Sequence, residues 1–270
     1  MKYCVPYSKN FKYLAEVDEI IFQYGENHNE ELFYNLVSKE DKFKNKRIII
    51  QTVGNYFEEK NSIKRVLELK EHDFNIAIML PTYHKELDNL IQDLKDNKIN
   101  FFFGTWVRDW DTFKGLIELG VSDIYIVENL GFELNLLGRL ATEAEVSIRV
   151  FANVCQTSWA NGNSMKSFFI RPEDVILYEP YVSVIEFYGQ ESNIQNVMFR
   201  VYAKEKKWFG NLREIIIGLD QDVDSRFLLP IFAVRRISCG KKCVKGGKCN
   251  ICDRILESEK VLKDKELYIR

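Results

Sequence analysis

No apolar run in this 270-residue chain approaches the roughly 18 residues a bilayer-spanning helix requires, which excludes a helical membrane protein from the reading. The opening stretch, Met1 to Asn10, has neither a long apolar core nor a small-residue cleavage site. The expected setting is therefore the reducing cytoplasm. Histidine is scarce: His28, His72 and His84 are the only three, and none forms an H-E-x-x-H pair, so a catalytic zinc held by histidines is not expected. Glycine-rich nucleotide loops are missing too, because Gly246-Gly247-Lys248 lacks the partner glycine and following hydroxyl of a phosphate loop. Five prolines and 14 glycines are scattered as turn punctuation, without low-complexity tracts. Charge of one sign is absent as well, since 38 basic against 40 acidic side chains leave a net charge of −2 and no global field for a polyanion.

Cysteine is sparse except in one place. Cys4 and Cys155 stand alone, while Cys239, Cys243, Cys249 and Cys252 crowd a short glycine-bearing stretch. In a reducing compartment that density points to metal rather than to disulfides. Four thiolates can close a tetrahedral zinc shell or grip a [4Fe-4S] cluster. Cys249-Asn-Ile-Cys252 resembles a single zinc knuckle, but the spacing leaves zinc and iron–sulfur both open. The same stretch is basic: Arg235, Arg236, Lys241, Lys242, Lys245, Lys248 and Arg254 stand against Asp253 alone. It is a candidate contact for RNA or another nucleic acid, or a lobe whose lysines keep an exposed loop soluble and offset thiolate charge.

Upstream, short β-rich apolar runs alternate with charged stretches of helical period. The runs are 19–24, 47–51, 75–80, 100–104, 123–127, 146–151, 167–171 and 182–187, the first six recurring about every 22 to 28 residues, the length of a strand, a helix and two loops. Unbroken apolar runs are what parallel strands buried on both faces look like. Leu87, Leu90, Ile91 and Leu94 form one helical stripe, and Ile63, Val66, Leu67 and Leu69 another. Pro172-Glu173-Asp174 marks a helix start. Eight runs predict an α/β fold, an eight-stranded β/α (TIM-like) barrel over 1–219, with a helix from about 192 to 219 as its last outer layer. A cysteine-rich metal-binding lobe and tail follow over 220–270. An open doubly wound sheet is the alternative, but the glycine fingerprint expected after its first strand is missing.

Barrels of this kind build their sites from the C-terminal ends of the strands. There the chain offers Gln51, Thr52, Thr105, Trp106, Glu128, Asn129, Asn153, Cys155, Arg171, Glu186 and Tyr188. Glu128 and Glu186 end different strands. If they face one cavity, one is expected to hold its proton and work as acid or base; if each pairs with an arginine such as Arg108 or Arg171, they hold the rim together. Trp106, Asn129 and Tyr188 are the candidate substrate contacts, Trp106 as a platform for a ring or base. Cys155 lacks an obvious activating histidine and reads as a packed apolar residue.

The segment Phe168-Phe-Ile-Arg171-Pro-Glu-Asp174, followed by Val184-Ile-Glu186-Phe-Tyr-Gly189, resembles the end of the catalytic barrel in the collagenase-like peptidase family of unassigned mechanism. Arg171-Pro172-Glu173-Asp174 matches that family's Lys-Pro-x-Asp element, and Ile185-Glu186 matches the core of its Lys-Ile-Glu-Gly-Arg element. The resemblance covers the last third of the barrel. It implies a relative of proteins some of which are iron–sulfur enzymes that hydroxylate RNA bases or a quinone ring without oxygen. On that basis Glu128, Asn153, Arg171 and Glu186 are the catalytic candidates. This chain departs from the family in Phe187-Tyr188-Gly189 and in keeping one cysteine, Cys155, in the sixth-strand loop. The competing class is a non-enzymatic nucleic-acid or protein-binding barrel with a structural zinc. Peptidase activity ranks third, for want of a nucleophile or metal dyad.

Overall fold

The computed structural model describes residues 1–24, 41–52, 60–71, 74–107, 109–126, 134–143, 145–155, 165, 167–189, 191–228, 232–238 and 250–265. Its strands are β1 (Lys2–Pro6), β2 (Glu19–Tyr24), β3 (Arg47–Thr52), β4 (Asn75–Leu80), β5 (Asn100–Phe103), β6 (Trp106–Val107), β7 (Asp123–Ile126), β8 (Ser147–Phe151) and β9 (Val184–Glu186). All pairings are parallel, in the order β5-β4-β3-β2-β1-β9-β8-β7-β6. Only Gly104 and Thr105 separate β5, which pairs with β4, from β6, which pairs with β7. Residues 100–107 therefore act as one strand shared between two neighbours. The ring closes as an eight-stranded parallel barrel, as expected.

The helices are α1 (Lys60–Glu71), α2 (Asp88–Asp96), α3 (Trp110–Glu118), α4 (Leu134–Glu143), α5 (Val175–Tyr178), α6 (Ser192–Phe199), α7 (Phe232–Ser238) and α8 (Ile251–Asp264). Leu90, Ile91 and Leu94 of α2 are buried, as their spacing predicts, while its acidic and amide residues face water. Asp109 caps α3 by accepting a hydrogen bond from the Thr112 N–H at 2.7 Å. Beyond α6 the chain winds as a π-helix over Arg200–Glu205 and is then irregular to residue 228 apart from short 3₁₀ turns at Leu212–Glu214 and Ser225–Phe227. The helical stretch expected to about residue 219 thus runs to Glu205, with a single further turn at Leu212–Glu214.

Two strand assignments change. The eighth strand is Lys2–Pro6, not 167–171. Its signal is short, with only Cys4 and Val5 buried between polar and half-buried neighbours. Residues 167–171 are wholly buried but lie outside the ring. The Ile170 N–H reaches the Ala152 carbonyl at 3.0 Å and the Tyr202 hydroxyl donates to the Ile170 carbonyl at 2.7 Å. Helices packed over that segment supply the burial that mimics a strand.

In α8, Cys252, Ile255 and Glu259 form the buried face, and Cys252 and Ile255 join the same apolar cluster as the barrel. Cys239, Cys243 and Cys249 lie outside the described residues. Among the described residues no helix is long and apolar enough to cross a membrane, and no group of three metal-capable side chains converges.

Candidate functional site

The barrel interior is charged rather than oily. Glu19, Arg47 and Asp123 each open a strand, Arg149 sits mid-strand in β8 and Glu186 closes β9; all five are buried. Parallel register brings them to successive levels, since Glu19 pairs with Arg47 and with Cys4, and Cys4 with Glu186. Arg149 is the hub. Its Nη1 donates to Glu19 Oε2 at 2.5 Å and to Asp123 Oδ1 at 3.0 Å, and its Nη2 to Glu186 Oε2 at 3.1 Å. Arg47 forks onto Asp123 at 2.7 and 2.6 Å and reaches the Ser122 hydroxyl at 3.0 Å. Burial alone would lift the Asp123 carboxyl, but the hydrogen bond from Arg47 and the charge of Arg149 outweigh it and leave the group below its usual value.

Nearer the mouth, the Tyr125 hydroxyl donates to Glu186 Oε2 at 2.6 Å and lies 3.4 Å from Met79 Sδ. Phe151 stacks on Tyr125 with centroids 5.1 Å apart and planes 4° from parallel, and Tyr188 meets Phe151 edge-on at 6.2 Å. Tyr188 is 56% exposed, so the column of rings runs from the buried ion network to the rim. Glu186 Oε1 has no hydrogen-bond partner among the described residues. Burial raises the Glu186 carboxyl, and the Arg149 guanidinium opposes the rise.

A carboxyl whose folded pKa is raised takes up its proton at a higher pH in the folded than in the unfolded chain. Wild-type stability should therefore increase relative to Glu186→Gln as pH falls from neutral through the raised value, and the difference should level off below the ordinary carboxylate range. Melting temperatures of both proteins across that window check the sign; a flat difference would mean that Glu186 titrates at its ordinary value.

Of the expected catalytic set, the structure places Glu186 and Asn153 at neighbouring strand exits, and Asn153 binds the backbone of Tyr188, an expected substrate contact. Asn153 is fully buried, donating from Nδ2 to the Tyr188 carbonyl at 3.0 Å and accepting from the Tyr188 N–H at 2.8 Å. Its amide is spent on tying the exit of β8 to the exit of β9, which makes it a positioning residue. Asn153→Ala should cost about 1–3 kcal/mol and speed hydrogen exchange at the Tyr188 amide; unchanged exchange would remove the tie.

Arg171 does not join Glu186. It makes two 2.7 Å hydrogen bonds to Asp174, three residues on, and lies over the Phe232 ring at 4.4 Å. The rim pairing of Glu186 with Arg171 is thus replaced by two separate pairs, Arg171 with Asp174 and Glu186 with Arg149. Cys155 lies at the exit of β8, its N–H bonded to the Ile217 carbonyl at 2.8 Å beside Gly218, whose φ of +82° suits glycine. Burial pushes its thiol up to about 12, so it stays protonated near neutrality. Glu128, Asn129 and Arg108 lie outside the described residues, as does the Trp106 side chain.

Sequence reasoning passed over Glu19, Arg47, Tyr125, Asp123 and Arg149. The available signal was Arg149 itself, a guanidinium inside the apolar run Ile148-Arg149-Val150, which only an interior partner can satisfy.

No family model and no curated protein matches the chain. Among solved structures, tryptophan synthase from M. tuberculosis in its aminoacrylate-bound form aligns with 9% identity and a TM-score of 0.48, over 73% of this chain and 85% of the other. The tryptophan synthase complex from Pyrococcus furiosus aligns with 11% identity and a TM-score of 0.45, over 79% and 97%. A designed cube-shaped protein cage aligns with 11% identity and a TM-score of 0.46, over 76% and 71%. At these levels the alignments carry no functional argument; the barrel stands on its own strand order.

Proposed function

We propose that this chain is a metal-containing enzyme of the collagenase-like peptidase type that modifies RNA or a ring-containing small molecule at the barrel mouth. The observation that carries the reading is Glu186: one oxygen is held by Tyr125 and Arg149, the other has no hydrogen-bond partner among the described residues, and the Phe151 and Tyr188 rings lead from it to the rim. Such a group can accept, hold or return a proton beside a flat substrate. Arg149 and Tyr125 position it, Asn153 fixes the adjacent rim, and Glu128, if it reaches the same space, supplies a second carboxylate.

Cys239, Cys243, Cys249 and Cys252 are proposed to hold zinc or a [4Fe-4S] cluster. The donor chemistry fits either, and of the four only Cys252 belongs to the described residues. It is buried in the first turn of α8 among the groups facing the Arg236 guanidinium, whose charge would offset that of a metal–thiolate centre. Zinc would supply a structural staple or Lewis acidity; an iron–sulfur cluster would supply electron transfer.

Full-length protein purified without oxygen should contain stoichiometric zinc or iron, and replacing both Cys249 and Cys252 with serine should remove it. Brown protein with iron–sulfur absorption supports the enzyme. Colourless zinc protein supports the second reading, a binding barrel whose basic cysteine lobe contacts nucleic acid, which the engagement of Asn153 and Arg171 in internal bonds favours. Folded, metal-free wild type would remove the site.

A further inference from the structure

The turn from Lys206 to Asn211, on the outside of the barrel, is held in shape by its neighbours. Lys206 ends the π-helix with φ +50°, a left-handed conformation that a lysine keeps only under surrounding contacts. Beyond it the Trp208 indole N–H donates to the Asn211 carbonyl at 3.0 Å, and a side chain on Gly210 would begin 3.3 Å from the Trp208 ring. Ser225 ties the far side, its N–H donating to the Gly210 carbonyl at 2.9 Å and its hydroxyl to the Trp208 carbonyl. The Leu212 N–H reaches the Val223 carbonyl at 2.7 Å. Residues 206–212 and 223–225 therefore form one unit, with Phe209 69% exposed at its tip.

Two carboxylates fasten this unit to the segment around α5. Glu179, just past α5, pairs with Lys206 at 2.7 Å, but both side chains reach water, where such a pair contributes little. Glu173 is the inner contact. Its Oε1 accepts the Trp208 N–H at 3.2 Å, while its Oε2 is sealed from water with no hydrogen-bond partner among the described residues. Arg171 and Asp174 face Glu173 from its own turn, and the Tyr202 phenol faces it from the π-helix. Arg171 is engaged by Asp174 through two 2.7 Å hydrogen bonds, and the Tyr202 hydroxyl donates to the Ile170 carbonyl at 2.7 Å. Burial raises the Glu173 carboxyl, and the charge of Arg171 opposes the rise.

We propose that Glu173 is a proton-operated latch on the 206–211 turn: with a proton on Oε2 the turn stays seated, and once the group ionises the carboxylate is drawn to water and the turn loosens. Oε1 accepts the Trp208 N–H in either state, which leaves Oε2 as the place of the proton. Ionisation puts charge on an oxygen that no hydrogen bond meets, and swinging the turn away opens that oxygen to water. The seated carboxyl therefore keeps its proton to a higher pH than the open one, which titrates in the ordinary carboxylate range. Seating is fullest below that range, weakens as pH rises to the raised value and is constant above it. Within the window each pH unit lowers the ratio of seated to open turn about tenfold.

Hydrogen exchange of the full chain, read by NMR and corrected for the intrinsic pH dependence of exchange, follows the latch at the Trp208 amide. Its protection should fall about tenfold per pH unit across the window in wild type. In Glu173→Gln it should stay level, because the amide oxygen still accepts the Trp208 N–H and the group cannot ionise. The Cys155 and Ile217 amides, bonded at 2.8 Å to the Ile217 and Asn153 carbonyls at the β8 exit, are the control and should hold constant protection. Should Glu173→Gln fail to fold, the NMR titration of the Glu173 carboxyl in wild type replaces it. Its midpoint should coincide with the pH at which Trp208 protection levels off, and a midpoint at the ordinary glutamate value overturns the latch. Trp208 protection independent of pH, the same pH dependence in Glu173→Gln, or a parallel loss at Cys155 and Ile217 overturns it as well.

Discussion

Replacing Arg149 by methionine is expected to destabilise the fold by about 3–5 kcal/mol, the usual cost of removing one partner from a buried ion pair. The side chain is fully buried and serves Glu19, Asp123 and Glu186 together. Its loss leaves three buried carboxylates with one guanidinium, that of Arg47, which reaches Glu19 and Asp123 but not Glu186. Urea unfolding measures the loss. The control is the pair Arg149→Met with Asp123→Asn, whose combined cost should fall short of the sum because both mutations break one network. Additivity would mean that Arg149 contributes through packing on Phe102 and Tyr125, whose centroids it approaches at 5.2 and 5.6 Å, rather than through charge. The direction is specific to removing one member: a fully apolar interior of equal volume need not be less stable.

The second large effect is expected at Arg236. This buried guanidinium donates to the carbonyls of Ser167 and Phe169 and lies 4.1 Å from the Phe169 centroid and 5.1 Å from that of Phe232. It joins α7 to the segment that follows β8. Arg236→Met strands two buried carbonyls and should cost about 2–4 kcal/mol. Arg236→Lys should recover little, because an ammonium cannot fork or lie flat on the rings. Hydrogen exchange decides where the loss falls: amides of α7 and α8 should open at lower free energy than those of β1 to β9. Uniform loss across the barrel would make Arg236 part of the global core and not a clasp on the C-terminal helices.

The barrel was legible because its strands are buried on both faces and therefore read as apolar runs. β2, β3, β4, β5, β7 and β8 begin within a residue of the expected positions. β1 was not, since five residues with two buried positions carry too little pattern. Residues 167–171 misled for the opposite reason, as burial under helices produces the same run of phenylalanine and isoleucine. Glu186 and Tyr188 were legible as strand-end polar residues, but their partners were not. Glu19, Arg47 and Asp123 read as ordinary flanks of strands, and only the closed ring turns them inward to meet Arg149.

The strand 100–107 changes partner at Gly104 and Thr105, and β1 pairs with β9, so the barrel can be divided into two half-shells, β1–β5 and β6–β9, meeting along two seams. Two of its strongest ion pairs, Arg47 with Asp123 and Glu19 with Arg149, cross from one half-shell to the other, as does the contact of Met79 with Tyr125. Apolar faces alone would tolerate a two-residue slide of one shell against the other. Here such a slide sets Tyr125 in place of Asp123 opposite Arg47 and leaves opposed charges sealed without partners. The interior charges work as a key cut across the seam, and the halves can shut in one alignment.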